Sequence, residues 1–215
     1  MTYLQLVNSV LRRLREDEVT TVAQNSYSKL IGEFVNDAKR IVEDSWDWSS
    51  LRTTLTVQTS ANVFSYALVG SGSALKTLDV INDTSNSFMQ PASSSWMNNS
   101  FLNGEPARSS PAYYSWNGFN DSGYAIVDVY PIPDSVYDLR FNVVNRDAAF
   151  TDDVSVLNVP SAPVIHYAVA LAARERGETG GASAQELYSI ADSTLADAIA
   201  MDAARFPSET IWTSC

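Results

Sequence analysis

The fold is decided by a change of hydrophobic period within residues 41–57, IVEDSWDWSSLRTTLTV. Up to Trp46 the apolar residues recur at helical spacing, whereas from Leu51 they alternate with polar residues. The run Leu51-Arg52-Thr53-Thr54-Leu55-Thr56-Val57 is rich in β-branched residues and predicts a strand. A helical region therefore ends, and a β region begins, inside this stretch.

Two helices are predicted before this boundary. The first begins at Thr2, which with Gln5 resembles a capping box, and it continues to about Leu14. The second runs from about Asn25 to Trp46, with Asn25, Ser26 and Ser28 as candidate N-caps. Its predicted inward face consists of Leu30, Ile31, Phe34, Ala38, Ile41 and Val42.

Beyond the boundary, further strands are predicted over residues 63–66, 75–81, 113–116, 124–130 and 137–145. The segment from Asn82 to Pro111 is rich in Ser, Asn, Gly and Pro. We expect it to be a long excursion with little regular structure, which in a compact domain is often a contact loop.

Two more helices are predicted near the C-terminus, over residues 160–176 and 183–205, separated by the glycines at 177, 180 and 181. The predicted inward face of the last helix consists of Leu187, Ile190, Ala191, Thr194, Leu195, Ala198 and Ile199. Neither terminal helix pair can bury its apolar stripe alone. We therefore predict an α+β fold, a four-helix bundle formed by the N-terminal and C-terminal pairs with an inserted antiparallel β domain and a C-terminal tail. The predicted domains are residues 1–50, 51–150, 151–205 and 206–215, the last being a docking tail.

The composition restricts the class of function. The chain has 25 acidic and 14 basic residues, so its formal charge is −11. Such a surface repels phosphate, which disfavours tight binding of nucleic acid but allows a duplex to pass through a channel. Cys215 is the only cysteine, so no disulfide can form within one chain. With no apolar run of about 18 residues and no signal peptide, we expect no membrane contact and synthesis in a cytoplasm.

Residues that could perform chemistry are few. His166 is the only histidine, and a catalytic triad or a zinc site would need partners that the sequence does not offer. Glu43, Asp44 and Asp47 could be a cation site, but nothing else in the sequence supports one, whereas Glu16, Asp17 and Glu18 are expected to form a solvated helix end. The chain is therefore predicted not to be an enzyme, with no catalytic residue, no cofactor and no metal.

Aromatic residues are concentrated in the β region, namely Trp96, Phe101, Tyr113, Tyr114, Trp116, Phe119 and Tyr124. They could pack the core, form a protein contact surface or stack on carbohydrate. If they form one flat exposed strip, carbohydrate binding gains support, and if they are buried it loses support. Phe206, Ile211 and Trp212 lie outside the last predicted helix, which indicates that the tail docks on its own domain or on a partner.

The order of these features resembles the head-to-tail adaptor proteins of tailed phages, such as the tail tubular protein A of short-tailed phages. The resemblance rests on the opening helix over residues 4–11, on Trp46-Asp47-Trp48-Ser49 leading into Leu55-Thr56-Val57, and on Val129-Tyr130-Pro131-Ile132-Pro133-Asp134. The helix over residues 162–177, with its many alanines, and the final helix with its tail complete the pattern.

The resemblance implies a structural virion protein at the head–tail junction, assembled in the host cytoplasm. Its subunits would form a ring, typically a dodecamer, that docks beneath the portal protein and connects the capsid to the next tail or nozzle protein. DNA would pass through the ring without sequence-specific binding. The implied portal-binding residues are Arg205, Phe206, Ile211 and Trp212. The alternatives are a receptor- or carbohydrate-binding module of a phage tail and another neck or tail-completion protein.

Overall fold

The computed structural model describes residues 1–72, 74–102, 104–177 and 182–205. The helices within them are α1 Tyr3–Arg13, α2 Ser26–Ser45, α3 Ser94–Leu102, α4 Ser161–Glu175 and α5 Ala182–Ala203, with a short 3₁₀ helix at Ser49–Leu51. The strands are β1 Arg52–Gln58, β2 Ser65–Ala67, β3 Leu75–Asn82, β4 Ser87–Phe88, β5 Gln90–Pro91, β6 Tyr113–Phe119, β7 Ala125–Tyr130 and β8 Asp138–Asn145. The chain divides into a helical unit, residues 1–50 and 149 onwards, and a β unit, residues 51–148.

Both N-terminal helices begin with a reciprocal side-chain cap. The Thr2 hydroxyl accepts a hydrogen bond from the Gln5 backbone N–H, and Gln5 Oε1 accepts one from the Thr2 N–H at 3.0 Å. In α2 the Asn25 side chain accepts from the Ser28 N–H at 2.7 Å, while Ser28 Oγ accepts from the Asn25 N–H. These bonds satisfy backbone donors that have no partner within the helix, so the predicted starting points are confirmed.

The helical unit is built around α4. Its sequence is apolar on nearly all sides, and Val164, Ala168 and Ala172 are fully buried. Helices α1, α2 and α4 contact one another, and α5 packs mainly on α4. The α+β class is thereby confirmed, whereas the predicted four-helix bundle is not, because three helices share mutual contacts and the fourth is added to one of them.

Two residues that were predicted to face inward are instead exposed. Ile41 of α2 has 42% of its surface exposed, and Ile190 of α5 has 48%. Between residues 185 and 203, α5 buries only Ala191 and Asp202. The reason is that α4 covers only a narrow face of α5, whereas the apolar residues of α5 extend over a wider part of its surface.

The β unit consists of two four-stranded sheets with the orders β1-β8-β3-β4 and β2-β7-β6-β5. Their inner faces share one core, formed by Val57, Leu68, Val80, Met89, Tyr114, Val127, Val129, Leu139, Phe141 and Val143. The sheets therefore form a sandwich. The pair β5–β6 is parallel, so the second sheet is mixed and the prediction of a wholly antiparallel domain is wrong for this pair.

Helix α3 lies in the segment that was predicted to have little regular structure. Its start is held by Ser93, whose Oγ accepts from the Trp96 N–H at 3.2 Å and whose carbonyl accepts from the Met97 N–H at 3.0 Å. Only Met97 of this helix is buried, and α3 packs on β6. The sequence shows no helical apolar stripe here because packing on the sheet, rather than periodicity, stabilises the helix.

Candidate functional site at the end of the last helix

The C-terminal end of α5 is fastened to residues 46–49 by one buried carboxylate. Oδ2 of Asp202 accepts hydrogen bonds from the Trp46 indole N–H at 3.2 Å and from the Ser49 backbone N–H at 3.0 Å. Its Oδ1 accepts from the Ser49 hydroxyl at 2.5 Å. Asp202 is buried, so these donors replace the water that the carboxylate has lost. We call this group of residues the Asp202 clamp.

The local sequence explains why residues 46–49 lie against α5. Trp48 is buried, and its indole N–H donates to the Val42 carbonyl at 2.7 Å. That carbonyl is in the last turn of α2, where backbone donors are lacking, and it also accepts from the Ser45 hydroxyl at 2.7 Å. Trp48 thus ends α2 and turns the chain, which leaves Trp46 and Ser49 directed to Asp202.

A Trp48→Phe substitution tests this local role. The phenyl ring keeps most of the buried volume but cannot donate to the Val42 carbonyl, which keeps the Ser45 hydroxyl as a donor, so we expect the free energy of unfolding to fall by about 0.5–1.5 kcal/mol. Urea denaturation measures the change. The matched control is Trp96→Phe in the half-exposed part of α3, for which we expect a smaller effect. Equal effects of the two substitutions would contradict the capping role of Trp48.

The clamp also determines the charge state of Asp202. Burial by itself would raise the pKa of this carboxyl, but the hydrogen bonds from Ser49 and Trp46 and the nearby Arg205 outweigh it. The pKa of Asp202 therefore lies below its ordinary value, and the side chain is ionised at neutral pH.

Arg205 is the one predicted portal-binding residue that the structure describes. Its Nη1 lies 3.4 Å from Asp202 Oδ1 and 3.4 Å from Ser49 Oγ, while 67% of its side chain is exposed. The guanidinium is thus close to the clamp and still accessible to a partner. Phe206, Ile211 and Trp212 lie outside the described residues, so their role stays a prediction.

A depression of about 410 Å³ lies beside the clamp, and we call it the α5 socket. Its lining includes Trp48, Val159, Pro160, Ala198, Met201 and Arg205. Met201 is 71% exposed, so its side chain is accessible at the edge of the socket. The socket therefore offers an apolar surface with a cation at its rim, at the point where the chain leaves α5.

His166 is half-buried and Glu43 is buried, so neither is an open polar site. Burial lowers the pKa of His166, and Arg13 lowers it further, so this histidine is neutral at pH 7. Glu43 forms a buried ion pair with Lys39 at 2.9 Å, which makes it unsuitable as an open cation ligand. Within the described residues, no group of three or more His, Cys, Asp or Glu side chains is placed to hold a metal ion. None of the described helices is long and apolar enough to cross a membrane.

The aromatic residues of the β unit pack on one another at steep angles. The centroid of the Trp96 ring lies 4.9 Å from that of Tyr113, with an angle of 50° between the ring planes. It lies 5.6 Å from the centroid of Tyr130, with an interplanar angle of 90°. Tyr114 is buried in the core, and Trp116 packs against it. These rings do not form one flat exposed strip, which is the arrangement that would have favoured carbohydrate binding.

In the helical unit, polar networks hold the helix ends, and the α5 socket is bordered by the exposed side chain of Met201. A family model, SU10 adaptor protein, matches residues 1–210, and the chain therefore belongs to the SU10 adaptor protein family. This confirms the resemblance to phage head-to-tail adaptors and makes the protein a structural component of a phage virion that interacts with portal and tail components. None of the curated proteins matches the chain.

The family resemblance named Arg205 as a portal-binding candidate, which stays a prediction, and sequence reasoning missed its contacts with Asp202 and Ser49. Asp202 had a detectable signal, because it falls on the same helical face as Ala191, Leu195 and Ala198, and a carboxylate inside an apolar stripe needs a buried donor. Residues 46–49 were noted only as part of the family resemblance. Their indole and hydroxyl donors are brought to Asp202 across more than 150 residues of sequence.

Proposed function

We propose that this adaptor forms a closed ring beneath the portal, connects the capsid to the next tail or nozzle protein, and lets DNA pass through its channel. The resemblance implies twelve copies, a position at the head–tail junction and assembly in the host cytoplasm. The observation that carries the portal contact is the end of α5, where the accessible Arg205 and the apolar socket lie at the start of the tail. Arg205, Phe206, Ile211 and Trp212 are the proposed portal-binding residues.

Ring closure requires that two different surfaces of each subunit meet. The helical unit offers exposed apolar side chains on two different helices, Ile41 on α2 and Ile190 with Met201 on α5. Ile190 and Met201 are eleven residues apart, about three helical turns, so they lie on one face of α5. Exposed apolar surface of this kind is typical of protein interaction sites, and it supports a contact between copies.

The charge of the chain is consistent with a channel for DNA. Each subunit carries a formal charge of −11, and a ring of such subunits presents a strongly acidic surface. Phosphates are repelled by such a wall, so a duplex could slide through it without being held.

Electron microscopy of the protein mixed with the portal of its own phage tests the proposal. We expect a ring that caps the portal with the full chain and no cap with a chain ending at Arg205, because the tail supplies the docking residues. A chain with Cys215→Ser is the control and should behave as the full chain does.

Each other outcome has a definite meaning. Caps formed by the shortened chain would place the portal contact elsewhere and overturn the role of the tail. No cap with either chain would overturn portal docking itself. We also expect the protein alone to sediment as a monomer, so a stable ring without portal would contradict assembly on the portal.

A further inference from the structure

The α5 socket lies where the tail begins. Arg205 lines its rim, and the sequence continues with ten residues, FPSETIWTSC. Three of these ten are large and apolar, namely Phe206, Ile211 and Trp212. If these three side chains were exposed near Met201, which is 71% exposed, the subunit would present a large apolar surface to water.

The tail is long enough to return to the socket. Trp212 follows Arg205 by seven residues, and an extended chain spans at most about 3.3–3.6 Å per residue. The socket begins at Arg205 itself, so only part of that reach is needed. Pro207 is a residue type that favours a turn, which gives the chain a place to reverse.

The chemistry of the socket suits an indole. Trp48, Val159 and Pro160 provide apolar walls, and a volume of about 410 Å³ is ample for one large aromatic side chain. The sulfur of Met201 and the guanidinium of Arg205 are both groups that interact favourably with an aromatic ring. An indole also needs an acceptor for its N–H, and Ser50, a residue with a hydroxyl, is among the lining residues.

We propose that the α5 socket holds the Trp212 side chain of the same subunit until the portal is met. The tail is then stored on its own subunit, its apolar residues are covered, and docking begins when the portal competes for the tail. The part played by the portal rests on the proposed function, whereas storage of the tail is a property of the free subunit and can be tested without a portal.

The single cysteine makes the test direct, since a nitroxide attached to Cys215 reports the motion of the tail in the otherwise unchanged full chain. We expect slow label motion in the natural sequence and motion several-fold faster in Ala198→Trp, which fills the socket with an indole of its own. The matched control is Ala200→Trp, on the exposed side of α5, which should leave the label slow. Trp212→Ala should also release the tail, and it does so without altering the described body of the protein.

The outcomes separate storage from docking. Storage of the tail in the socket would be overturned if the label moved equally fast in the natural chain, in Ala198→Trp and in Trp212→Ala. That conclusion would hold even if capping of the portal still required the tail. A slow label that both substitutions release would support storage, even if no portal binding were found. If both ideas hold, Ala198→Trp should associate with the portal faster than the natural chain does, because its tail is already free.

Discussion

Replacing Lys39 with Met is expected to lower the free energy of unfolding by about 3–5 kcal/mol, because it breaks a buried ion pair with Glu43 by removing one partner. The two side chains form an ion pair at 2.9 Å, with only 3% and 1% of their surfaces exposed. Lys39 Nζ also lies 5.1 Å from the centroid of the Phe150 ring, an additional favourable contact for the ammonium. Thermal and urea denaturation measure the loss.

Two controls make this expectation specific to burial. In the double variant Lys39→Met with Glu43→Leu, apolar groups replace both charges, and stability should recover most of the loss. Arg40→Met removes the neighbouring cation, whose pair with Asp37 at 3.3 Å is largely exposed, and should have a small effect. A double variant as unstable as Lys39→Met would mean that lost packing, rather than the broken ion pair, causes the effect.

The second large effect is expected at the Asp202 clamp. Asp202→Ala should cost about 1–3 kcal/mol, because it leaves the Trp46 indole N–H and the Ser49 N–H without their shared acceptor in a partly buried position. The loss should be local at first, with the last turns of α5 exchanging their amide protons faster while α1 keeps its protection. Hydrogen exchange followed by mass spectrometry distinguishes the two helices. Uniform loss of protection would contradict a local clamp.

The same residue predicts a dependence on pH. The pKa of Asp202 is lower in the folded protein than in the unfolded chain, so its contribution is complete above the unfolded value of about 3.9 and is lost as the pH falls through the lower folded value. The difference in melting temperature between the natural chain and Asp202→Asn should therefore be largest near neutral pH and shrink in acid. A difference that stays constant down to about pH 2 would show that ionisation of Asp202 is irrelevant.

The parts of the fold that could be predicted from sequence are those that local chemistry determines. The capping residues Thr2 and Asn25 mark the starts of α1 and α2 because the same side chains bind backbone donors in the structure. The alternation of apolar and polar residues that begins at Leu51 also predicted the first strand, since β1 starts at Arg52. Helix α3 was missed because its stability comes from packing on β6, which leaves no periodic pattern in the sequence.

The sequence predicted the type of each element better than it predicted which elements pack on one another. The apolar stripes of α2 and α5 are wider than the surfaces that α4 covers, so periodicity alone assigned Ile41 and Ile190 to the interior. At the candidate site, the resemblance indicated Arg205, but the Asp202 clamp depends on a meeting of α5 with residues 46–49 that no local pattern encodes.

The division of the helical unit by residues 51–148 has a consequence for synthesis on the ribosome. The β unit is continuous in sequence, and its first strand pairs with its last, Arg52 opposite Val144, so it can complete itself as soon as β8 has emerged. The central helix α4 is made later, and until then α1 and α2 have no partner for the faces that α4 will cover. Closing the long segment between α2 and α4 costs chain entropy, which slows the joining of these helices. We therefore expect nascent chains that stop before residue 161 to contain a folded sandwich. Their α1 and α2 should be incompletely packed and should depend on chaperones.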